Sequence, residues 1–195
     1  VVSVEVTDKE QLGNLTIYKE GEVLVWASSN ENGTTFQYEK RRQNGAIYNL
    51  YAAEDIKTPD GAVVYQAGAL VKENLVTGDN GSVTVTNLHL GTYRVTEMQA
   101  PENFYNAEES KTVTISYAGQ TAEAAFAETT FQNDRQKAEV SVVKQDKETT
   151  NPLPGGIFGL YADEDILNAE GAVVVKKDTL IEKVTTNGEG KAAFT

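Results

Sequence analysis

Hydrophobic and polar residues alternate along much of this chain with a period of two, the spacing of a strand whose side chains point to opposite faces. Leu15 and Ile17 share one face, as do Tyr93 and Val95, and as do Ala127, Thr129 and Phe131. The alternation predicts strands at 14–19, 46–52, 62–65, 69–76, 82–86, 92–98, 111–117 and 123–132. Turn signals at Pro59-Asp60-Gly61, Asp79-Asn80-Gly81 and Ala118-Gly119 separate them. Short strands at this spacing predict an all-β sandwich. Between about 22 and 43, Val23-Leu24-Val25-Trp26 and Phe36-Gln37-Tyr38 flank Asn32-Gly33, the pattern of an added hairpin.

Three polar residues break the inward pattern. Lys19 falls on the face of Leu15 and Ile17, Glu97 on the face of Tyr93 and Val95, and Asn133 on the face of Phe131. A charge on a core-facing position is costly unless it is paired or neutralised. Two readings are open from parity alone. Either Lys19 and Glu97 form a buried salt bridge or snorkel to an edge, or the three residues meet for chemistry.

The chain also repeats itself. Gly45-Ala-Ile-Tyr-Asn-Leu-Tyr51 is echoed by Gly155-Gly-Ile-Phe-Gly-Leu-Tyr161, and Gly61-Ala-Val-Val64 by Gly171-Ala-Val-Val174; 155 − 45 and 171 − 61 both give 110. Leu15–Lys19 corresponds to Val140–Lys144, where 144 − 19 is 125, so the first copy carries about 15 extra residues in its hairpin region. The expected organisation is a domain over 12–135, complete and carrying the hairpin at about 22–43, followed by the N-terminal part of a second, truncated copy over 136–195. Residues 1–11 read as a linker or the end of a preceding domain. Val2, Val4, Val6 and Asp8 share a face, which makes Asp8 a candidate counterpart of Asn133 in such a domain. The chain starts at Val1 rather than Met and reads as an excerpt from a longer polypeptide.

Charge narrows the choice of partners. Seventeen basic against 29 acidic residues leave a net charge of −12, which argues against nucleic acid and anionic membrane surfaces. No run approaches the roughly 20 apolar residues of a membrane-spanning helix. The absence of cysteine excludes disulfides and thiolate metal sites. His89 is the only histidine and lies in a turn-like segment, so it is expected to be exposed, with no zinc partner. Asp55, Asp60, Asp79 and Glu164 match no calcium-loop spacing. Neither a metal nor another cofactor is expected.

The stretch Gly91-Thr-Tyr-Arg-Val-Thr-Glu-Met-Gln-Ala-Pro-Glu-Asn-Phe-Tyr105 resembles the E-box of CnaB-type (SpaA-like) domains of Gram-positive surface adhesins and pilins, whose pattern is Tyr-x-Leu-x-Glu-Thr-x-Ala-Pro-x-Gly-Tyr. Tyr93, Glu97, Ala100 and Pro101 match in place; Val95, Met98, Asn103 and Phe104 are departures. Asn is the residue after Gly best suited to a positive φ. The resemblance implies a prealbumin-like variant of the immunoglobulin sandwich, with an intramolecular isopeptide bond between Lys19 and Asn133 promoted by Glu97. Burial disfavours charged amines and charged carboxylates alike. A free amine would then attack the carboxamide, with the acid relaying protons as ammonia leaves. That is self-modification once per molecule, not enzyme turnover. It also implies that Lys144 is the corresponding lysine of the second copy, its partner lying beyond residue 195.

The expected function is therefore structural: a stalk or shaft module of a cell-wall-anchored surface protein, extracellular, with neighbouring domains of the same polypeptide as partners. The alternative is a module binding carbohydrate or a host matrix protein through the 22–43 hairpin. In that reading Trp26, Phe36 and Tyr38, with Lys40, Arg41 and Arg42, form the ligand-facing patch; in the other they are a sheet extension with a solvated basic edge.

Overall fold

A computed structural model describes residues 9–105 and 110–195, so Asp8 and the strand expected at the N-terminus lie outside the described residues. Every element is a strand: β1 Leu12–Asn30, β2 Gly33–Arg42, β3 Ile47–Ala52, β4 Ile56–Lys57, β5 Val63–Tyr65, β6 Leu70–Val76, β7 Ser82–Leu88, β8 Gly91–Gln99, β9 Ser110–Ile115, β10 Ala124–Asn133, β11 Val140–Val143, β12 Ile157–Tyr161, β13 Ile166–Leu167, β14 Val173–Val175, β15 Leu180–Thr185 and β16 Lys191–Phe194. The chain divides into two compact units. Unit 1 holds residues 1–21 and 41–134, and unit 2 holds 22–40 and 135–195.

Unit 1 is a β-sandwich. In one sheet the first half of β1 lies between β10, which runs parallel to it, and β7, which runs antiparallel. The other sheet has the order β6-β3-β8-β9. Alternation does what the sequence pattern asks of it. Leu15 and Ile17 from β1, Tyr48 and Leu50 from β3, Tyr93 and Val95 from β8 and Phe131 from β10 are all fully buried in one core. Each contributes about 1.5–3 kcal/mol through the surface it removes from water. Their neighbours Thr16, Tyr18, Arg94 and Thr96 are only partly buried. The Tyr48 and Phe131 rings pack tilted, with centroids 4.9 Å apart.

The parallel pairing of β1 and β10 sets the register on which the site depends. Lys19 stands opposite Phe131, and Gly21 opposite Asn133. Lys19 and Asn133 are therefore diagonal neighbours on one face of adjacent strands, within reach of a long side chain.

Unit 2 repeats much of this backbone in its own frame. Lys19 N–H donates to the Gly81 carbonyl and Lys144 N–H to that of Gly190, while Lys19 and Lys144 carbonyls accept from Gln43 and Leu153. Thr77 Oγ1 accepts from Ala46 N–H and donates to the Gln43 carbonyl. Thr186 Oγ1 does the same with Gly156 N–H and the Leu153 carbonyl.

The segment expected to be an insertion in the first copy groups instead with residues 135–195. Within unit 2 the Leu24 carbonyl accepts from Ala169 N–H at 3.0 Å and the Val25 carbonyl from Asn168 Nδ2 at 3.2 Å. Thr34 Oγ1 donates to the Leu180 carbonyl at 2.6 Å, and Lys183 Nζ to the Glu31 carbonyl at 2.7 Å. Gly33 pairs with Glu182. A Cβ at Gly33 would lie 2.7 Å from the Ile181 carbonyl oxygen, and its φ of +141° suits glycine. The hairpin turn is thus built for close backbone approach.

Candidate functional site

The three polar residues singled out by strand parity lie in the core of unit 1. Lys19 is 0% exposed, Glu97 1% and Asn133 4%. Lys19 Nζ lies 3.1 Å from Glu97 Oε1, with neither side chain reaching solvent. Neither residue snorkels. Taking two charges out of water costs several kcal/mol per ion, and their attraction recovers that only in a well-bonded setting.

The bonding here is lopsided. Glu97 Oε1 accepts a hydrogen bond from the Tyr48 hydroxyl at 3.2 Å and is the oxygen that ion-pairs with Lys19. Glu97 Oε2 is buried with no hydrogen-bond partner among the described residues, and so are both polar atoms of the Asn133 carboxamide. Each such group costs about 1–3 kcal/mol. Native interiors rarely leave them, and a cluster of them calls for a chemical explanation.

The surroundings exclude water. Phe131 lies opposite Lys19, flanked by the Tyr48 ring and by Lys111, whose Nζ sits 5.0 Å from its centroid and donates to the Thr130 carbonyl at 2.6 Å. Beyond Lys19 the strand carries Gly21, where a Cβ would stand 2.2 Å from Phe104 Cε1. The missing side chain at Gly21 lets the Phe104 ring cover that end of the strand. Two backbone bonds hold this cover: Phe104 N–H to the Pro101 carbonyl at 3.2 Å, and Tyr105 N–H to the Asp134 carbonyl at 3.0 Å.

The supporting residues take defined places. Tyr93 is fully buried and its hydroxyl donates to the His89 carbonyl at 2.7 Å. Burial pushes that phenol up to about 12, with the neighbouring Tyr65 adding to the effect. Ala100 and Pro101 are buried. Asn103 adopts φ +69°, the left-handed conformation for which Asn substitutes for Gly.

Other candidates fall elsewhere. His89 is half-buried rather than exposed, its Nδ1 2.8 Å from a Glu10 carboxylate oxygen. Lys144, which corresponds to the buried Lys19, is exposed, with Nζ 5.9 Å from the Phe158 ring centroid; Val140 and Val143 beside it are also exposed. Of the hairpin residues, Trp26 is 52% exposed. Tyr38 is covered by the Arg135 guanidinium at 3.8 Å, which also bonds Glu22 at 2.7 Å. In unit 1 Arg42 stacks on Tyr18 at 4.0 Å and pairs with Glu20 at 3.5 Å. No group of three potential metal ligands occurs among the described residues. Sequence reasoning missed Tyr48, because a tyrosine at an inward strand position reads as core.

A family model described as SpaA, a prealbumin-like fold domain, matches residues 32–130, just over half of the chain. The chain belongs to this SpaA family. No curated protein matches it. Among solved structures, this SpaA-family chain is similar to the Bacillus anthracis TIE protein at 24% identity and TM-score 0.57, covering 95% of this chain and 26% of that one. It is also similar to GBS52, the minor pilin of the Gram-positive pathogen Streptococcus agalactiae, at 17% identity and TM-score 0.42, covering 66% of this chain and 47% of that one. A third is the shaft pilin spaA from Lactobacillus rhamnosus GG, at 14% identity and TM-score 0.40, covering 94% and 82% respectively. The SpaA-family chain thus spans about a quarter of the first protein and about half of the second.

Proposed function

We propose that unit 1 closes itself with an amide between Lys19 and Asn133, and that the chain is a structural stalk or shaft module of a Gram-positive surface protein. The observation that supports this reading is a buried Lys19–Glu97 ion pair with, at the diagonal position of the neighbouring strand, a buried Asn133 carboxamide that has no hydrogen bond. A proton passes from the Lys19 ammonium to the Glu97 carboxylate across the 3.1 Å contact, leaving a neutral amine and a neutral acid. The amine attacks Asn133 Cγ, and Glu97 carries protons from the attacking nitrogen to the departing one. The Nζ–Cγ bond forms, the Cγ–Nδ2 bond breaks, and ammonia leaves. Folding supplies the proximity that makes the step unimolecular.

Position gives the bond its mechanical meaning. Lys19 lies on the first strand of the unit and Asn133 ends the last, so the amide spans 114 residues (133 − 19). The two strands run parallel, so tension applied at the two chain ends of the unit loads a covalent link rather than a ladder of hydrogen bonds. In a cysteine-free protein this link also resists reduction. Unit 2, with Lys144 at the backbone position equivalent to Lys19, is read as a second module of the same kind. The hairpin's bonds within unit 2 support a scaffold role over a glycan- or matrix-binding one.

Intact mass spectrometry tests the reading. The full chain is expected to weigh one ammonia less than its sequence, while K19A and E97A keep the full mass. A wild-type chain of full mass overturns it.

A further inference from the structure

We propose that Tyr48 is a positioning residue for the amide-forming step: its hydroxyl holds Glu97 Oε1 so that Oε2 remains the atom that serves the Asn133 carboxamide. The inference rests on the amide-forming reading above and adds to it a fourth participant and a division of labour between the two carboxyl oxygens.

The geometry is specific. Tyr48 is fully buried on β3, directly opposite Glu97 on β8 in the antiparallel register. Its hydroxyl donates to Oε1 from 3.2 Å, the same oxygen that lies 3.1 Å from Lys19 Nζ. Oε1 therefore takes the Tyr48 hydrogen bond and the ion pair with Lys19, while Oε2 is buried without a hydrogen bond. A carboxyl group free to rotate about its terminal torsion would exchange the two oxygens, because that torsion is broad and nearly two-fold. A hydrogen bond from Tyr48 and an ion pair with Lys19 on the same oxygen oppose that exchange. The Tyr48 ring is in turn held against Phe131, two residues before Asn133, at 4.9 Å between centroids. One side chain thus sets the acid on β8 and braces the strand that presents the carboxamide.

The roles follow with atoms balanced. Oε1 takes the proton of the Lys19 ammonium, with Tyr48 still donating to it. Oε2, the oxygen left for the carboxamide, takes a proton from the attacking nitrogen and hands it to the departing Nδ2. The Nζ–Cγ bond forms and the Cγ–Nδ2 bond breaks, while Oε1 keeps the proton it took from the ammonium. The products are a secondary amide, ammonia and a protonated Glu97. Tyr48 neither gains nor loses a proton overall.

The chain carries its own contrast. The residue corresponding to Tyr48 at the 110-residue offset is Phe158, a ring of the same shape without the hydroxyl, and Lys144 lies beside it. The aromatic ring is common to both copies, and the hydroxyl is the added feature of the first.

The test uses the full chain, recovered unreacted under denaturing conditions and refolded by dilution, with ammonia loss followed by intact mass. Folding is followed separately by near-ultraviolet circular dichroism. Y48F is expected to fold at the wild-type rate but to form the amide about ten- to a hundredfold more slowly, the cost of one hydrogen bond to a charged group. Its pH profile of amide formation is expected to change shape and not only height, which a purely structural role would not produce. A wild-type rate and profile in Y48F overturns the proposal. If Y48F does not fold, fluorinated tyrosine at position 48 keeps the ring and alters only the donor; a rate independent of phenol acidity then overturns it. Amide formation in E97A refutes the underlying reading instead, and leaves the two failures distinct.

Discussion

Replacing Asn133 by alanine separates a covalent core from a merely ion-paired one, because the two cases predict different signs. If no amide forms, Asn133 is a carboxamide with both polar atoms buried and without hydrogen bonds. Removing such a group relieves a desolvation cost of about 1–3 kcal/mol and forfeits a comparable amount of packing. N133A is then close to neutral or stabilising. If the amide forms, the substitution deletes a cross-link spanning 114 residues (133 − 19). By the chain-entropy relation for cross-links, a closed loop of that size is worth roughly 5 kcal/mol. The Lys19–Glu97 pair stays in place, so no buried charge is orphaned and the loss reports the link itself. For a unit of this size about 5 kcal/mol corresponds to a fall in Tm of roughly 15–25 °C. Calorimetry of both proteins, with urea titrations alongside, reads the difference. The urea slope should also rise in N133A, because an uncross-linked chain exposes more surface on unfolding. An N133A protein that melts at or above the wild-type temperature with an unchanged slope refutes the covalent reading.

Three further outcomes are expected. G21A puts a methyl where Phe104 Cε1 stands 2.2 Å away, so the ring must swing out; unit 1 should lose about 1–3 kcal/mol and form the amide more slowly, and G21A/F104A should recover part of the stability but not the rate. G33A strains a residue at φ +141° whose Cβ would press on the Ile181 carbonyl at 2.7 Å, so hydrogen exchange at β15 should quicken while β8 and β10 are unaffected. The Tyr93 phenol is raised from 10.0 to about 12 in the folded state, so its contribution is intact below pH 10 and is lost as pH rises toward 12. The wild type should therefore lose about 2–3 kcal/mol more than Y93F across that interval, read from urea midpoints at each pH.

Much of the site is legible in the residue order. Lys19, Glu97 and Asn133 break strict alternations whose other members are apolar, and a period of two leaves only one face for each. Parity turns all three inward, and all three are buried. Asn103 at φ +69° follows from the left-handed tolerance of asparagine. Lys144 shows the limit of the method. Its parity points inward, yet parity defines a face and not what covers that face, and the side chain is exposed. His89 errs the other way, since a turn-like sequence carries no sign that Glu10 will come to meet it.

What the residue order determined by itself was local: which segments extend, which side chains face in, where the chain turns, and that its backbone pattern occurs twice. Those properties depend on period-two geometry and turn chemistry, which act over a few residues. The tertiary structure alone decided which faces meet. It ran β10 parallel to β1 so that Asn133 came diagonal to Lys19, and it set Tyr48 across from Glu97 as a donor rather than a filler. It also placed the Glu22–Lys40 hairpin with residues 135–195. Strand pairing joins residues a hundred or more positions apart through identical backbone groups, so its partners are chosen by the packing of the whole core and not by any local signal.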